Sequence, residues 1–360
     1  MQIGLECFTD EQLSSMIASG ARYGDCEIQH KKGCVVYDTK EDSYLKEYLE
    51  EILNVFTVAK YLRVDDSDKR VDYLKNFLDR WKIFSVDENG IQQMIKAICN
   101  ERYRDEPELF DEKVTIREFF SADEMEQQCI LKTYSWDDFC YNIKHVNRFH
   151  SQQVNFKQLK NLLENMVIDI PTGTLTLFRS RICDEEHYSL GYTCRKMGVP
   201  PINLTSAGRT NSEGIQCLYL ASDEETTFHE VRARDNDHVS VGKFQQIKDL
   251  KIVDLSLFDK IGPFSVLDFD MTWFAINIDI IRKIGNEIAK PMRRFDKTLD
   301  YVPTQYICDY IKHLGYDGIK YKSTLSNGGT NYAIFKEKKF ECVQVKVVHI
   351  GNIQYEWAAI

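Results

Sequence analysis

The spacing of apolar residues in this chain changes near Pro171-Thr172-Gly173, and this change most constrains the fold. Before it, over residues 41–165, apolar side chains recur at three- and four-residue intervals, and Pro107 is the one proline. That spacing is typical of amphipathic helices. After residue 174, short apolar runs alternate with helical stretches, as in a domain that mixes strands and helices. The sequence therefore predicts two structural parts, and 360 residues are enough for two separate cores.

The expected elements define an α+β fold class. Helices are expected at residues 118–131, 136–149, 224–234, 265–288 and 303–314, and strands at 174–179, 216–221, 239–244, 251–255, 318–322, 332–335 and 343–350. Their order predicts a mixed or mostly antiparallel sheet after residue 174. Neither Gly-x-Gly-x-x-Gly nor a Walker A motif is present, which argues against Rossmann and P-loop domains. We expect three segments: a degenerate zinc-ribbon-like segment at 1–40, a helical domain at 41–165, and an α/β domain at 166–360.

Composition narrows the classes of function. No run of 18 apolar residues occurs, and the N-terminus lacks the basic and apolar regions of a secretory signal, so a cytoplasmic protein without membrane association is expected. The 11 cysteines are scattered, which favours free thiols over a disulfide framework. A net charge of -10 makes nucleic acid an unlikely partner, because such binding depends on Lys and Arg at phosphates.

The first 40 residues carry cysteines whose spacing resembles a zinc ribbon. Gly4 lies three residues before Cys7 and Gln29 three residues after Cys26, so each expected Cys-x2-Cys pair has lost one ligand. A site of three cysteines and one histidine could still form from Cys7, Cys26, His30 and Cys34. The favoured interpretation is a remnant without metal.

Two arginines and a glutamate are the main candidates for chemistry. Arg179 lies at the end of an expected strand, where its guanidinium could bind a pyrophosphate through bidentate hydrogen bonds. Arg209 lies in the loop Gly208-Arg209-Thr210-Asn211, of the type that brings backbone N–H groups close to phosphates. Glu230 follows Thr227 by three residues on an expected helix and could stabilise positive charge at an anomeric carbon. Each residue also has an ordinary structural explanation when it is considered alone.

Further polar and aromatic residues could complete such a site. Tyr219 could stack on a ring or belong to the core of its strand. Thr304 and Gln305 begin a helix, where N–H groups attract an anion, although helix capping explains them equally well. Ser323 could bind a ribose or position an acceptor. The remaining candidates for ligand contacts are Asn211, Tyr321 and Asn331.

The order and spacing of these residues resemble the RES domain, a family named after an Arg, a Glu and a Ser. The resemblance rests on Phe178-Arg179, Gly208-Arg209-Thr210-Asn211, Leu218-Tyr219-Leu220-Ala221 with Glu230 nine residues later, Tyr321-Lys322-Ser323, and Asn331 before Ile334-Phe335. It implies a fold related to ADP-ribosyltransferases and an enzyme that consumes NAD⁺ as its substrate, with no cofactor. The family's residues then fall on Arg179, Arg209 and Glu230, and its Ser falls on Ser323 or near Thr304.

One position departs from the RES pattern. Many RES domains carry Tyr directly after the first Arg, whereas this chain has Ser180, so a nicotinamide ring would have to stack on Tyr219 or Tyr321.

Residues before 166 resemble the HEPN-like N-terminal domain that is often fused to RES domains. The Arg-x4–6-His motif of HEPN nucleases is matched by Arg181 with His187 and by Arg232 with His238. Both pairs lie outside the helical domain, and we interpret them as coincidence.

The resemblance implies cleavage of the nicotinamide–ribose bond by water or phosphate, that is, an NAD⁺ glycohydrolase or phosphorylase. Such a hydrolase would act as a bacterial toxin of a toxin–antitoxin pair or as an anti-phage defence effector. An antitoxin or other inhibitory protein is then an expected partner, and a homodimer remains open. Two alternatives stay in view: transfer of ADP-ribose to a macromolecule, and a HEPN-type RNA-binding protein or ribonuclease with an inactive RES site.

Overall fold

The structure, a computed structural model, describes residues 1–264, 270–291, 296–326 and 328–352. The chain forms two compact units: unit 1 comprises Met1–Tyr134 and Lys260–Ile281, and unit 2 comprises Ser135–Asp259 and Arg282–Ile360. This division differs from the expected boundary between residues 165 and 166. The segment 135–165 belongs to unit 2 because its aromatic rings pack there, with Phe139 5.7 Å from Tyr306 and Phe156 4.6 Å from Tyr310 between ring centroids.

Unit 1 combines short helices with two three-stranded sheets. Its elements before residue 134 are β1 (Gln2–Gly4), α1 (Glu11–Gly20), β2 (Tyr23–Gly24), β3 (Cys34–Asp38), α2 (Tyr44–Leu53), β4 (Phe56–Val58), β5 (Asp72–Tyr73), α3 (Leu74–Arg80), α4 (Glu88–Ile98), α5 (Asn100–Asp105), α6 (Pro107–Asp111), β6 (Lys113–Ile116) and α7 (Ala122–Gln128). The strand orders are β1-β3-β2 and β4-β6-β5, and the paired strands run antiparallel.

The prediction of a purely helical segment over 41–165 is wrong in part. The structure places β4, β5 and β6 there, because Val114-Thr115-Ile116 and Phe56-Thr57-Val58 are rich in β-branched and aromatic residues that suit a strand. The helix expected at 118–131 is shorter, since Ser121 caps the first turn of α7 by accepting a hydrogen bond from the Glu124 amide. The helix expected at 136–149 ends at His145.

Unit 2 is built around one large mixed sheet. Its elements are α8 (Trp136–His145), α9 (Phe156–Asn165), β7 (Val167–Ile170), β8 (Thr176–Ile182), α10 (Cys194–Met197), β9 (Leu218–Ala221), α11 (Glu224–Glu230), β10 (His238–Gln246), β11 (Leu250–Asp254), α12 (Met271–Ala289), α13 (Val302–His313), β12 (Gly318–Lys322), β13 (Thr330–Ile334) and β14 (Phe340–His349). Helix α12 begins in unit 1 and ends in unit 2, and residues 265–269 of the expected helix lie outside the described residues.

The sheet of unit 2 has the strand order β14-β10-β8-β9-β13-β12-β11-β7. Among the described strands, β11 and β12 run parallel, and the other neighbours run antiparallel. This arrangement confirms the expected mixed sheet. Its apolar core includes Leu177, Leu220, Phe244, Ile252 and Ile334.

The start and the end of helix α11 are each explained by a single residue. Asp223 caps this helix, and its side chain accepts a hydrogen bond of 2.8 Å from the Thr226 amide. The helix ends at Glu230 and not at residue 234, because Arg232 adopts a left-handed backbone with a φ of 53°. Glu230 therefore lies at the end of a short helix that follows the middle of the sheet.

No helix among the described residues is long and apolar enough to cross a membrane. The longest, α12, has 19 residues but contains Asp279, Arg282, Lys283 and Glu287.

Asp317, a buried carboxylate between α13 and β12, ties three segments of unit 2 together. It accepts hydrogen bonds from the Lys251 amide at 2.7 Å and from the ammonium groups of Lys336 at 2.8 Å and Lys339 at 2.5 Å. Burial alone would raise the pKa of this carboxyl, but the three donors outweigh it and hold the pKa below its usual value.

We predict that Asp317→Asn lowers the free energy of unfolding by about 2 kcal/mol at pH 7, because it leaves buried donors poorly paired. A lowered pKa stabilises the folded state above the unfolded value of about 4, and this contribution is lost as the pH falls through the folded value. The difference between the natural protein and the variant should therefore shrink below about pH 4. Urea unfolding at several pH values measures this, with exposed Asp235→Asn as control; equal stability at pH 7 would contradict the prediction.

Candidate active site

A cavity of about 320 Å³ lies in unit 2 and is bounded by strands of the sheet, by α11, by the loop at residues 206–211 and by the end of α12. This volume is at the lower end of the range for small-molecule sites. The residues predicted from the sequence that line it are Arg179, Arg209, Asn211, Tyr219, Glu230, Tyr321 and Asn331. The structure therefore brings together residues that are up to 152 positions apart in the chain.

One cross-strand row of side chains contributes to the cavity wall. Phe178 of β8 is paired with Ala221 of β9, Ala221 with Asn331 of β13, and Asn331 with Tyr321 of β12. All four residues line the cavity. Because strand pairing fixes the spacing of this row, the cavity has a rigid side.

Glu230 presents its carboxylate to this row from the end of α11. Its Oε1 accepts a hydrogen bond of 2.6 Å from Nδ2 of Asn331 and one of 3.0 Å from the hydroxyl of Ser323. Its other oxygen, Oε2, accepts no hydrogen bond from a described residue. One oxygen of the carboxylate is thus held by the protein, and the second is available to a ligand.

The structure separates the two candidates for the family's Ser. The Ser323 hydroxyl contacts Glu230, as described above. Thr304 is buried in the first turn of α13, where its hydroxyl donates a hydrogen bond of 3.0 Å to the Tyr301 carbonyl. Neither Ser323 nor Thr304 is among the described residues that line the cavity, and the contact with Glu230 is what distinguishes Ser323. The Thr304 hydroxyl is thus used within the first turn of the helix, but it does not cap the helix, whose N-cap residue is Tyr301.

Arg179, in the cavity wall, carries a guanidinium nitrogen that has no partner among the described residues. Its Nη1 atom is buried and makes no hydrogen bond to any described residue. Burial, followed by the nearby positive charge of Arg181, lowers the pKa of Arg179 to about 10. A buried guanidinium that lacks an acceptor is costly, and an anionic ligand would relieve that cost.

Arg209, in contrast, is bound by the protein itself. Its Nη2 atom lies 3.0 Å from the Asp296 carboxylate and donates to the Pro291 carbonyl at 3.0 Å. Its guanidinium also lies over the Tyr301 ring, 5.1 Å from the centroid. The side chain still lines the cavity, and its Nε atom is buried without a hydrogen-bond partner among the described residues.

The loop that carries Arg209 is held by hydrogen bonds to β9 and α13. The Tyr219 hydroxyl donates to Oδ1 of Asn211 at 2.6 Å, and the amide of Gln305 donates to the carbonyls of Gly208 and Asn211 at 2.8 and 3.0 Å. A Cβ at Gly208 would lie 2.6 Å from the Tyr219 hydroxyl, so this position requires glycine. Asn211, Tyr219 and Gln305 therefore shape the loop, and Gln305 is not among the described lining residues.

The comparison with family models decides the family. The model described as the RES domain matches residues 176–358, which is just over half of the chain. The chain belongs to the RES domain family. Its RES domain therefore contains the whole cavity wall described above.

Comparison with solved structures also finds similarity to a toxin–antitoxin complex. The crystal structure of the M. tuberculosis MbcT–MbcA toxin–antitoxin complex matches with 13% sequence identity, over 53% of this chain and 91% of that chain. Its TM-score is 0.33, which is too low to establish a shared fold. A search of curated proteins found no match.

The RES domain also contains a contact that the sequence did not indicate. The hydroxyls of Ser180 on β8 and Thr227 on α11 lie 2.6 Å apart, and both residues are buried and line the cavity. Thr227 also donates to the Glu224 carbonyl at 2.5 Å. The residue that stands in place of the family's usual Tyr thus links α11 to the strand that carries Arg179. The spacing of Thr227 and Glu230 was the one available signal.

The cysteines of residues 1–40 lie in unit 1. Cys7 and Cys26 approach to 3.6 Å between sulfurs, and the Cys26 sulfur accepts hydrogen bonds from the amides of Gly4 and Gln29. The backbone amides of Gly4 and Gln29, the positions that would carry the missing ligands, thus both contact the Cys26 sulfur. Among the described residues, no three His, Cys, Asp or Glu side chains are arranged to hold a metal ion, so Cys34 and His30 do not complete a site here.

We predict that Arg179→Met raises the free energy of unfolding of the ligand-free protein by about 1 kcal/mol, because it removes a buried charge that has no partner. Chemical denaturation of both proteins measures the difference. Exposed Arg195→Met is the control and should not give a gain, because its charge is solvated. A loss of stability in Arg179→Met would show that Arg179 is satisfied within the protein.

Proposed function

We propose that this protein is an enzyme that consumes NAD⁺ by cleaving the bond between nicotinamide and ribose. The observation that carries the proposal is one cavity of a RES domain in which an unpartnered guanidinium, Arg179, and a carboxylate held by two donors, Glu230, line the same wall. A cation and an anion in one small cavity suit a substrate that carries negative phosphates and develops positive charge at a sugar carbon.

The proposed roles follow from these environments. Arg179 would bind the pyrophosphate, because this is the cavity cation whose Nη1 lacks a partner. The free oxygen of Glu230 would contact the nicotinamide ribose and stabilise the oxocarbenium-like transition state. Ser323 would help to hold the carboxylate, and Tyr321 offers an aromatic surface in the cavity wall. Arg209 would act indirectly, by maintaining the loop at residues 206–211.

The acceptor defines the type of reaction. Water would make the protein an NAD⁺ glycohydrolase, and phosphate would make it a phosphorylase. Incubation with NAD⁺ in the presence and absence of phosphate, followed by mass spectrometry, separates free ADP-ribose from ADP-ribose-1″-phosphate. The same experiment with cell extract detects ADP-ribose on a macromolecule. Stable NAD⁺ under all three conditions would contradict the proposal.

The wider biological role is part of the same proposal. An enzyme that removes NAD⁺ in the cytoplasm would act as a toxin or defence effector and would need an antitoxin or inhibitory partner. The HEPN-like character of the N-terminal part likewise remains a proposal. The side chains of the Arg181–His187 pair contact other residues of the protein. His187 lies 2.5 Å from the Asp184 carboxylate, and Arg181 stacks on Tyr192.

We predict that Glu230→Gln lowers the rate of nicotinamide release at least about 100-fold, because the amide keeps the shape but lacks the negative charge. Thermal unfolding should stay close to that of the natural protein, since Glu230 is exposed. Exposed Glu225→Gln, on the same helix, is the matched control and should retain full activity. Full turnover by folded Glu230→Gln would rule out the assigned role.

A further inference from the structure

Asn331 makes the shortest hydrogen bond to the Glu230 carboxylate, 2.6 Å from Nδ2 to Oε1. We propose that Asn331 is a positioning residue: its amide holds Oε1 so that Oε2 faces the substrate. The sequence suggested that this residue contacts the ligand directly, and the geometry gives it a different task. The inference rests on the proposed function, in which Glu230 acts on the ribose.

Strand pairing makes Asn331 a rigid support. Its backbone lies in β13, between Tyr321 of β12 and Ala221 of β9, and the residue is 6% exposed. A side chain in the interior of a sheet has few accessible rotamers, so its amide stays where the backbone places it. Ser323, the second donor, lies just beyond the end of β12 and is less buried. The more rigid of the two supports is therefore Asn331.

Glu230 needs such a support because of its own position. It is exposed and is the last residue of α11, a helix of seven residues. An exposed glutamate has three rotatable bonds, and fixing them carries an entropic cost that hydrogen bonds must offset. The nearby carbonyl groups of a helix end also disfavour a negative charge. A buried amide donor offsets both effects and selects one orientation of the carboxylate.

The contact between α11 and β8 does not replace this support. The Thr227–Ser180 hydrogen bond fixes the helix backbone one turn before Glu230. It leaves the rotamers of the glutamate itself undetermined. Loss of Asn331 should therefore affect the catalytic step while substrate binding through Arg179 is preserved.

Asn331→Ala and Asn331→Asp test the proposal in the full chain with NAD⁺. For Asn331→Ala we expect kcat to fall about 100-fold while KM changes less than about threefold. Asn331→Asp keeps the volume but places a second carboxylate against Glu230, so at pH 7.5 its kcat should be lower than that of Asn331→Ala. Exposed Asn161→Ala, on α9, is the control. Thermal unfolding of each variant reports whether it folds.

The outcomes separate this inference from the proposed function. A rise in KM with unchanged kcat would overturn the positioning role and indicate direct contact with substrate. An Asn331→Asp variant as active as the natural protein would overturn it as well. If the natural protein leaves NAD⁺ intact, the proposed function fails, and a crystal structure of Asn331→Ala then decides the inference. A displaced Glu230 carboxylate would support it, and an unmoved one would overturn it.

Discussion

The pairing of β13 between β9 and β12 is the constraint on which the candidate site depends. It places Ala221, Asn331 and Tyr321 side by side, although they come from three separate stretches of the chain. The loop after β12 adds Ser323, and α11 returns from β9 with Glu230 at its end. A register shift of one residue would turn the Asn331 amide to the opposite face of the sheet. The site is therefore a property of strand register more than of any single side chain.

The two arginines of the cavity show how environment separates residues of one type. Arg209 has a carboxylate and a carbonyl within 3.0 Å, and its charge is neutralised locally. The Arg179 Nη1 has no such partner, and burial disfavours the charge. Since both residues line one cavity, a ligand with a negative group gains more from Arg179. In the proposed function, the same chemical group therefore maintains the loop at one position and binds the pyrophosphate at the other.

Most elements of unit 2 could be predicted from the sequence, because their signals are local, whereas β7 and α10 were not expected. The strand before Ala221, the cap at Asp223 and the helix that carries Glu230 follow from neighbouring residues. The strands β4, β5 and β6 were missed, since residues as distant as Phe56 and Ile116 stabilise each other only after pairing. For the same reason the pairing of Arg209 with Asp296 and the choice between Ser323 and Thr304 could not be predicted. Both depend on contacts across 87 or more residues.

The lowered pKa of Arg179 has a consequence for proton exchange. An anion bound to the guanidinium would favour its charged form and raise this pKa again. Binding of an anion would therefore offset the effect of burial on the guanidinium. At neutral pH the group is already charged, and no proton moves. The cavity wall thus keeps its positive charge throughout the neutral range, although burial makes that charge costly.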